Sequence, residues 1–499
     1  MSNQLKLNSP IKKFLQMNQN RMKNIKKGKY LKTFIIFFLL FALLTKVEAI
    51  SWNDTSRMAQ IQSLIERNTL IIDDSIFLYT GDKYFFNNHF YSDKPPILAL
   101  YASPFYFFLK KLGFSFESHS QLTYYLTTLL SIGSLSALGL TVFRKIVKEF
   151  LNASDEWADM ITFVTGTGTA ILPYSLIFNN HVPSGVLILI GFYYLLNYRR
   201  NSQLKNVFYS GFLFSCAGTI DIGCFLFIPF ILIYFLKKSV RAGLIFTISC
   251  TPMIILYLFL NLYTSGSLTP PAMNATLWDY PESAFNVESL SGLATHNNVF
   301  QFLLYTFHML LGNRGLISHN PILLFSIISL LIISNKKLRF LYKDEYIYIL
   351  LISLLYIGIY IFRTTNYSGS AFGVRWFASL MLIWCLPIAY LEGKFRKSKI
   401  TKFIFIGIMY LSIFISIIGT HNPFSFLTGE TSMQEYLSPT NTIFANIKLL
   451  ITDLFSTASI EKKLFSLFLD TRTILGAIII YFLFFRFIKR INKSEDLNY

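Results

Sequence analysis

The sequence predicts an all-α integral membrane protein with about twelve transmembrane helices and a large first outer loop containing interfacial helices. Three observations predict it. The 499 residues are 53% apolar and 17% aromatic, and the mean hydropathy is +0.48, the composition of a membrane chain. Apolar runs of hydrocarbon-spanning length recur from one end to the other. Basic clusters follow every second run, as cytoplasmic loops do.

Taken in order, the predicted spans are 33–47, 121–143, 159–177, 182–198, 206–221, 222–236, 242–262, 315–334, 346–362, 376–392, 402–420 and 472–489. The tail before residue 33 carries nine Lys/Arg and no acid, which holds the N-terminus in the cytoplasm. The clusters that follow are Arg144/Lys145/Lys148, Arg199/Arg200/Lys205, Lys237/Lys238/Arg241, Lys336/Lys337/Arg339/Lys343, Lys394 to Lys402, and Arg486 to Lys493. This places the C-terminus in the cytoplasm too. The net charge of +19 is thereby explained by topology, and no nucleic-acid partner is needed. The four cysteines fall in apolar segments, which suggests neither a disulfide framework nor a zinc site.

The same alternation settles two ambiguous stretches. Residues 97–112 and 299–312 are apolar, but counting the first alone as a span would invert every later basic cluster until the second restored it. Both are therefore expected to be helices lying on, or dipping into, the outer face, with Lys110 and Lys111 at the water boundary. The first span is short, and Val47-Glu48-Ala49 resembles a signal-peptide cleavage site, although the long basic tail is unusual for a signal. The organisation is then a basic cytoplasmic tail (1–32), one polytopic membrane domain (33–490) and a cytoplasmic tail (491–499). Within it the first outer loop runs from 48 to 120.

The polar sequence sits in outer loops, so any chemistry is expected on the outside. After the first span comes Ser51-Trp52-Asn53-Asp54-Thr55-Ser56-Arg57. A helix is expected to follow, because Met58, Ile61, Leu64 and Ile65 make one apolar stripe. Asp54 stands where a cap would, with Arg57 one turn on. It either caps the helix, acts as a general base, or does both. Residues 85–96 carry His89, Asp93 and Lys94 and end in Pro95-Pro96. The diproline bars a helix before it and is expected to present Asp93 and Lys94 on extended backbone, with the ammonium suited to a phosphate. Asp73, Asp74 and Asp82 read as solvated loop acids.

Asn179-Asn180-His181 lies between two spans, as a tight turn or as part of a site. Asp221 separates two short spans and is open to the same two readings. Gly312-Asn313-Arg314-Gly315 with His319-Asn320-Pro321, and Tyr367-Ser368-Gly369-Ser370-Ala371-Phe372-Gly373-Val374-Arg375, each set an arginine among glycines at the outer end of a span. There a guanidinium can grip phosphate or merely anchor the interface. No Walker loop, dinucleotide fingerprint, nucleophile elbow or HExxH motif is present.

Taken together these pieces resemble the GT-C glycosyltransferases that use polyprenyl-phosphate sugars, in particular bacterial members of the family containing protein O-mannosyltransferases and lipid A aminoarabinose transferases. Asp54-Thr55-Ser56-Arg57 is similar to the family's Asp-x-x-Arg after the first span, and Tyr91 to Pro96 to its aromatic-x-acid-Lys-Pro-Pro element. The match covers roughly residues 48–115; the large folded C-terminal domain of some members is not found. The resemblance implies Asp54 as the catalytic carboxylate and Lys94 facing the carrier phosphate.

Chemistry gives the same picture. A sugar on a lipid phosphate already has a good leaving group, so the enzyme needs a base for the acceptor and cations for the phosphate. Asp54 is expected to be that base in an inverting transfer, with Lys94, Arg375, Arg57 and Arg314 on the departing phosphate. Asp93 and His89 would orient the sugar or bind a divalent cation such as Mg or Mn. Asn180, His181 and His319 are secondary candidates. The partners implied are a polyprenyl-phosphate-linked sugar donor, an envelope glycan, lipid or protein acceptor, and the bilayer. Two rival classes are a lipid-linked-sugar flippase or other secondary transporter, and a surface-polysaccharide polymerase or ligase. The spans are nearly free of charge, unlike those of most carriers, and the Lys, Ile, Phe and Asn usage points to a bacterial inner membrane.

Overall fold

The computed structural model describes residues 28–285, 296–334, 342–424, 436–454 and 460–496. Most of the predicted N-terminal tail, the basic cluster at Lys336, Lys337 and Arg339, and residues 497–499 lie outside them. The described chain is helical almost throughout, and the protein is an all-α membrane protein with one small two-stranded sheet.

Among the described residues six helices are long and apolar enough to cross a membrane. They are Ser120–Glu149, His181–Asn201, Val240–Ser265, Lys343–Arg363, Arg375–Lys397 and Lys399–His421. Each matches one predicted span. The other six runs are shorter, interrupted or differently bounded. The first helix (α1) covers 28–44, about 25 Å at 1.5 Å per residue. The run at 159–177 becomes Asp155–Thr167 and a single turn Ile171–Tyr174, parted at Gly168. The run at 315–334 is parted at Asn320-Pro321 into Leu316–His319 and Leu323–Ser334, where proline removes a backbone donor. The adjoining runs at 206–236 form Leu204–Ile220 and Phe227–Lys238 around a 3-10 turn at Ile222–Leu226, and the last helix is Ile460–Asp496.

Burial sorts the long helices. Arg375–Lys397 is 83% buried and central, whereas Val240–Ser265 is only 33% buried and exposes Leu244, Ile248, Ile255 and Phe259. An outward apolar face of that kind belongs in hydrocarbon.

The segment predicted as the first outer loop folds into its own apolar cluster on the end of the bundle. Helix α2 (Trp52–Arg67) starts at a Ser51 cap and ends at Asn68 in a left-handed conformation. Helix α3 (Ile97–Lys111) has 15 residues and is not among the six long apolar helices. Met58 and Ile61 of α2 pack with Ala102 and Tyr106 of α3, Phe116, and Tyr124 of the long helix Ser120–Glu149, which we label α4. The stretch Val299–Leu310 is likewise a short helix.

The hairpin inside this loop departs from the all-helical expectation. Strands β1 (Lys83–Phe86) and β2 (His89–Ser92) pair antiparallel, with Tyr84 opposite Tyr91. Asn87 and Asn88 both take positive φ at the turn, the backbone that a two-residue hairpin requires and asparagine tolerates.

Candidate active site

The hairpin register builds the site. With Lys83 opposite Ser92, the residues just outside the ladder, Asp82 and Asp93, face each other, and Asp93 N donates to Asp82 O at 3.4 Å. Lys94 follows directly. Its ammonium lies 2.7 Å from Asp82 Oδ2 and 2.7 Å from Asp93 Oδ2. Pro95 and Pro96 then turn the chain into α3, and the Lys94 carbonyl accepts from Gln60 Nε2 at 2.9 Å. Ser56 of α2 clamps the base of the hairpin by contacting both Asp82 O and Ser92 Oγ at 2.5 Å. Asp82, expected to be solvated, is thus a buried partner of Lys94. The paired aromatic alternation around Asn87-Asn88 is the sequence signal that would have found it.

Two adjoining cavities meet at this triad. The larger, of about 520 Å³, is lined by Arg57, Gln60, Asn180, His181, Asp221 and Arg375 on its polar part, and by Ile222, Phe225, Leu226, Pro229 and Ile359 on its apolar part. The smaller, of about 290 Å³, is lined by Ser51, Asp82, Asn366, Ser368, Ser370 and Phe424 among others. Asn53, Asp93, Lys94, Arg375 and Trp376 line both.

Arg375 opens the most buried long helix, behind a loop in which Ser368, Gly369 and Gly373 take positive φ. Gly373 also approaches His319, whose ring an added Cβ would meet at 3.0 Å. Ser368 Oγ accepts from the Arg375 backbone N–H at 2.9 Å. The guanidinium itself makes no hydrogen bond or ion pair among the described residues; its Nε is buried without a partner, and its contact is the Phe424 ring at 5.3 Å.

Arg57 is held instead by neutral oxygens. It donates to Asn53 O at 2.7 Å, to Asn53 Oδ1, and to Asn180 Oδ1 at 2.7 Å. Burial pulls its pKa down to about 10, opposed chiefly by Asp93 and helped by Arg375. His181 Nδ1 and Asp221 Oδ2 pair at 2.8 Å in the same cavity wall. Asn180 is the N-cap of His181–Asn201 without a side-chain cap bond, and the Oδ1 of Asn179 accepts from His181 N at 3.0 Å instead.

Asp93 has one oxygen engaged and one free. Oδ2 accepts from Lys94, while Oδ1 is buried with no hydrogen-bond partner. Burial pushes its carboxyl up to about 6, against the pull of Lys94 and with added repulsion from Asp82.

Asp54 serves the start of α2, one of the two readings its position left open. It is the third helical residue, not the cap, and closes a capping box with Ser51. Oδ1 accepts from Ser51 N at 2.8 Å and Ser51 Oγ at 2.7 Å; Oδ2 accepts from Ile50 N and Tyr124 O–H, both at 3.0 Å. The side chain is fully buried and lines neither cavity. Burial raises its pKa, and those hydrogen bonds oppose the rise.

Three further candidates lie away from the triad. His89 sits beside the hairpin turn, 46% exposed, with Nδ1 2.7 Å from Asp73. Arg314 is fully buried and donates to Ala371 O at 2.8 Å. His319 Nε2 meets Thr442 Oγ1 at 2.8 Å beside a separate, small void. A divalent cation on Asp93 and His89 does not fit this arrangement. His89 is turned to Asp73, and an ammonium already bridges Asp82 and Asp93. Among the described residues no group of three or more His, Cys, Asp or Glu side chains is gathered as a metal site.

No known family model matches this chain, and no curated protein matches it.

Proposed function

We propose that the protein is an inverting glycosyltransferase that moves a sugar from a polyprenyl-phosphate carrier to an envelope acceptor at the outer face of a bacterial inner membrane. In this reading the chain crosses about twelve times, the shorter and parted helices completing what the six long ones begin.

One observation carries the proposal. A carboxylate with an unengaged oxygen, Asp93, and a guanidinium without a polar partner, Arg375, line the same junction between an apolar-walled cavity and a polar one. The apolar wall suits the first units of a lipid chain, and the polar chamber suits a hydroxyl-bearing acceptor. Asp93 Oδ1 takes the acceptor proton as its oxygen bonds the anomeric carbon. The bond from that carbon to the phosphate oxygen breaks, and the electron pair leaves with the polyprenyl phosphate. Arg375 and Arg57 meet the charge that develops there. Arg57 keeps its charge unneutralised because its contacts are neutral oxygens, and Lys94 contributes while fixing Asp93. Asp54 becomes a positioning residue that locks the start of α2, and with it Asn53 and Arg57.

The test is transfer of label by the purified protein from a panel of polyprenyl-phosphate sugars to extracted envelope acceptors. Labelled acceptor with stoichiometric release of polyprenyl phosphate supports the proposal, and the acceptor class separates a transferase from a polysaccharide polymerase or ligase. Movement of intact donor across liposomes with no transfer would replace it by the transporter reading.

A further inference from the structure

A third cavity, of about 390 Å³, lies at the other end of the bundle. Along α4, Arg144 in its wall stands about 30 Å beyond Tyr124, the partner of Asp54, at 1.5 Å per residue; that is one hydrocarbon thickness. The charged lining is Lys29, Lys32, Arg144, Arg486 and Arg490 against a single carboxylate, Asp159. The apolar lining includes Phe37, Phe163 and Leu483. On α1 Lys29 and Lys32 precede Phe37 by about two and about one and a half turns, and on the last helix Arg486 and Arg490 follow Leu483. The cavity is therefore charged toward the helix ends and apolar deeper along the helices.

The acids nearest Arg144 and Lys29 are already paired. Arg144 takes Asp159 at 2.6 Å and Asp155 at 3.1 Å, and Lys29 takes Asp155 at 2.9 Å. Lys32, Arg486 and Arg490 have no acidic partner among the described residues; Arg486 rests over the Phe482 ring at 5.0 Å. The sequence before Thr33 contains no Asp or Glu that could neutralise them. Three cations with no acidic partner among the described residues, above an apolar lining, fit a phosphate carrying acyl chains. A free phosphate would leave the aromatic lining unused.

We infer that this cavity binds an anionic phospholipid, its phosphate on Lys32, Arg486 and Arg490 and its acyl chains against Phe37, Phe163 and Leu483. The site is separate from the Asp93 junction and does not depend on the transferase reading.

The experiment is native mass spectrometry of the purified full chain with dioleoylphosphatidylglycerol or dioleoylphosphatidylcholine, with and without a millimolar excess of inorganic phosphate. Wild type is expected to retain the glycerol lipid over the choline lipid. Loss of each cation should weaken retention about fivefold, so Lys32→Gln/Arg486→Gln/Arg490→Gln should abolish the preference. Thr33→Trp keeps the cations and fills the cavity; it should lose the lipid too, and it carries the test if the triple variant does not fold. Lys237→Gln/Lys238→Gln/Arg241→Gln removes as many cations elsewhere and should retain the preference. Equal retention in the triple variant or in Thr33→Trp overturns the site, as does equal loss in the distant control. Displacement by inorganic phosphate overturns the lipid as its occupant.

Discussion

The pair of variants Asp93→Asn and Asp54→Asn tests the assignment of the base most sharply. Both are near-isosteric, and the two carboxylates differ in what surrounds them. Asp93 has a free buried oxygen in the cavity wall and a pKa near 6. If it takes the acceptor proton, transfer should follow its deprotonated fraction, about nine-tenths at pH 7 and about one-tenth at pH 5. Asp93→Asn should lose roughly 10²–10⁴-fold in kcat and flatten that acid limb. Asp54→Asn should do neither. An amide at position 54 keeps one acceptor oxygen but turns its NH₂ toward the N–H donor of either Ile50 or Ser51, whichever that oxygen does not serve. That conflict costs about 1–3 kcal/mol of stability per unsatisfied group, read as a lowered Tm with the pH limb intact. The assay is single-turnover label transfer from pH 4.5 to 8, beside thermal unfolding in the same detergent. An acid limb that survives in Asp93→Asn, or a well-folded Asp54→Asn that loses the limb, would refute the reasoning.

Arg375→Gln should lower kcat about 10²–10³-fold while leaving Tm nearly unchanged, because the guanidinium makes no hydrogen bond that the fold relies on; a large fall in Tm with a small fall in kcat would count against it. Lys94→Ala leaves Asp82 and Asp93 buried together without their cation and should cost about 3 kcal/mol in unfolding titrations at pH 7. The sign of the pH dependence follows from the raised folded-state pKa of Asp93. Its contribution to stability is complete below pH about 4 and is lost as pH rises through about 6, so wild type should unfold more easily at pH 7 than at pH 5, and Asp93→Asn should show less of that fall. His89→Ala removes only an exposed pair with Asp73, worth under about 1 kcal/mol, and transfer should stay within about twofold of wild type; a hundredfold loss would return His89 to the site.

What was legible in the sequence divides along physical lines. Span periodicity and charge alternation report how a segment meets its solvent, and the long apolar helices appear where they imply. Parted helices were harder, because Gly168 and Pro321 interrupt runs whose composition is still apolar. Within the site, Lys94, Asp93, Arg57 and Arg375 were legible as charges beside backbone-restricting residues. For Asp54 two readings stayed open, and the role of Asp82 was not legible. Whether a carboxylate caps a helix or faces a cavity depends on the hydrogen bonds of its two oxygens, and those depend on Tyr124, seventy residues away. Asp82 gained its meaning only from the hairpin register, which two asparagines with positive φ set.

Asp93 and Arg375 line the same two cavities yet do not pair. Two opposite charges at a buried junction attract strongly, and a direct ion pair would satisfy both while removing the acceptor for the proton and the cation for the phosphate. The surroundings oppose that collapse from both sides. Lys94 holds Asp93 through Oδ2 and is itself shared with Asp82, so Asp93 cannot swing away without leaving a buried ammonium half-paired. Phe424 lies under the guanidinium of Arg375, and Ser368 fixes its backbone at the start of the helix. Burial is the main cause of the raised pKa of Asp93 and of the lowered pKa of Arg57, so placing these charges in the wall opposes folding. On the proposed reading, a wall that holds its partners separate can receive a third charge, that of a phosphate that becomes a dianion as it leaves the sugar.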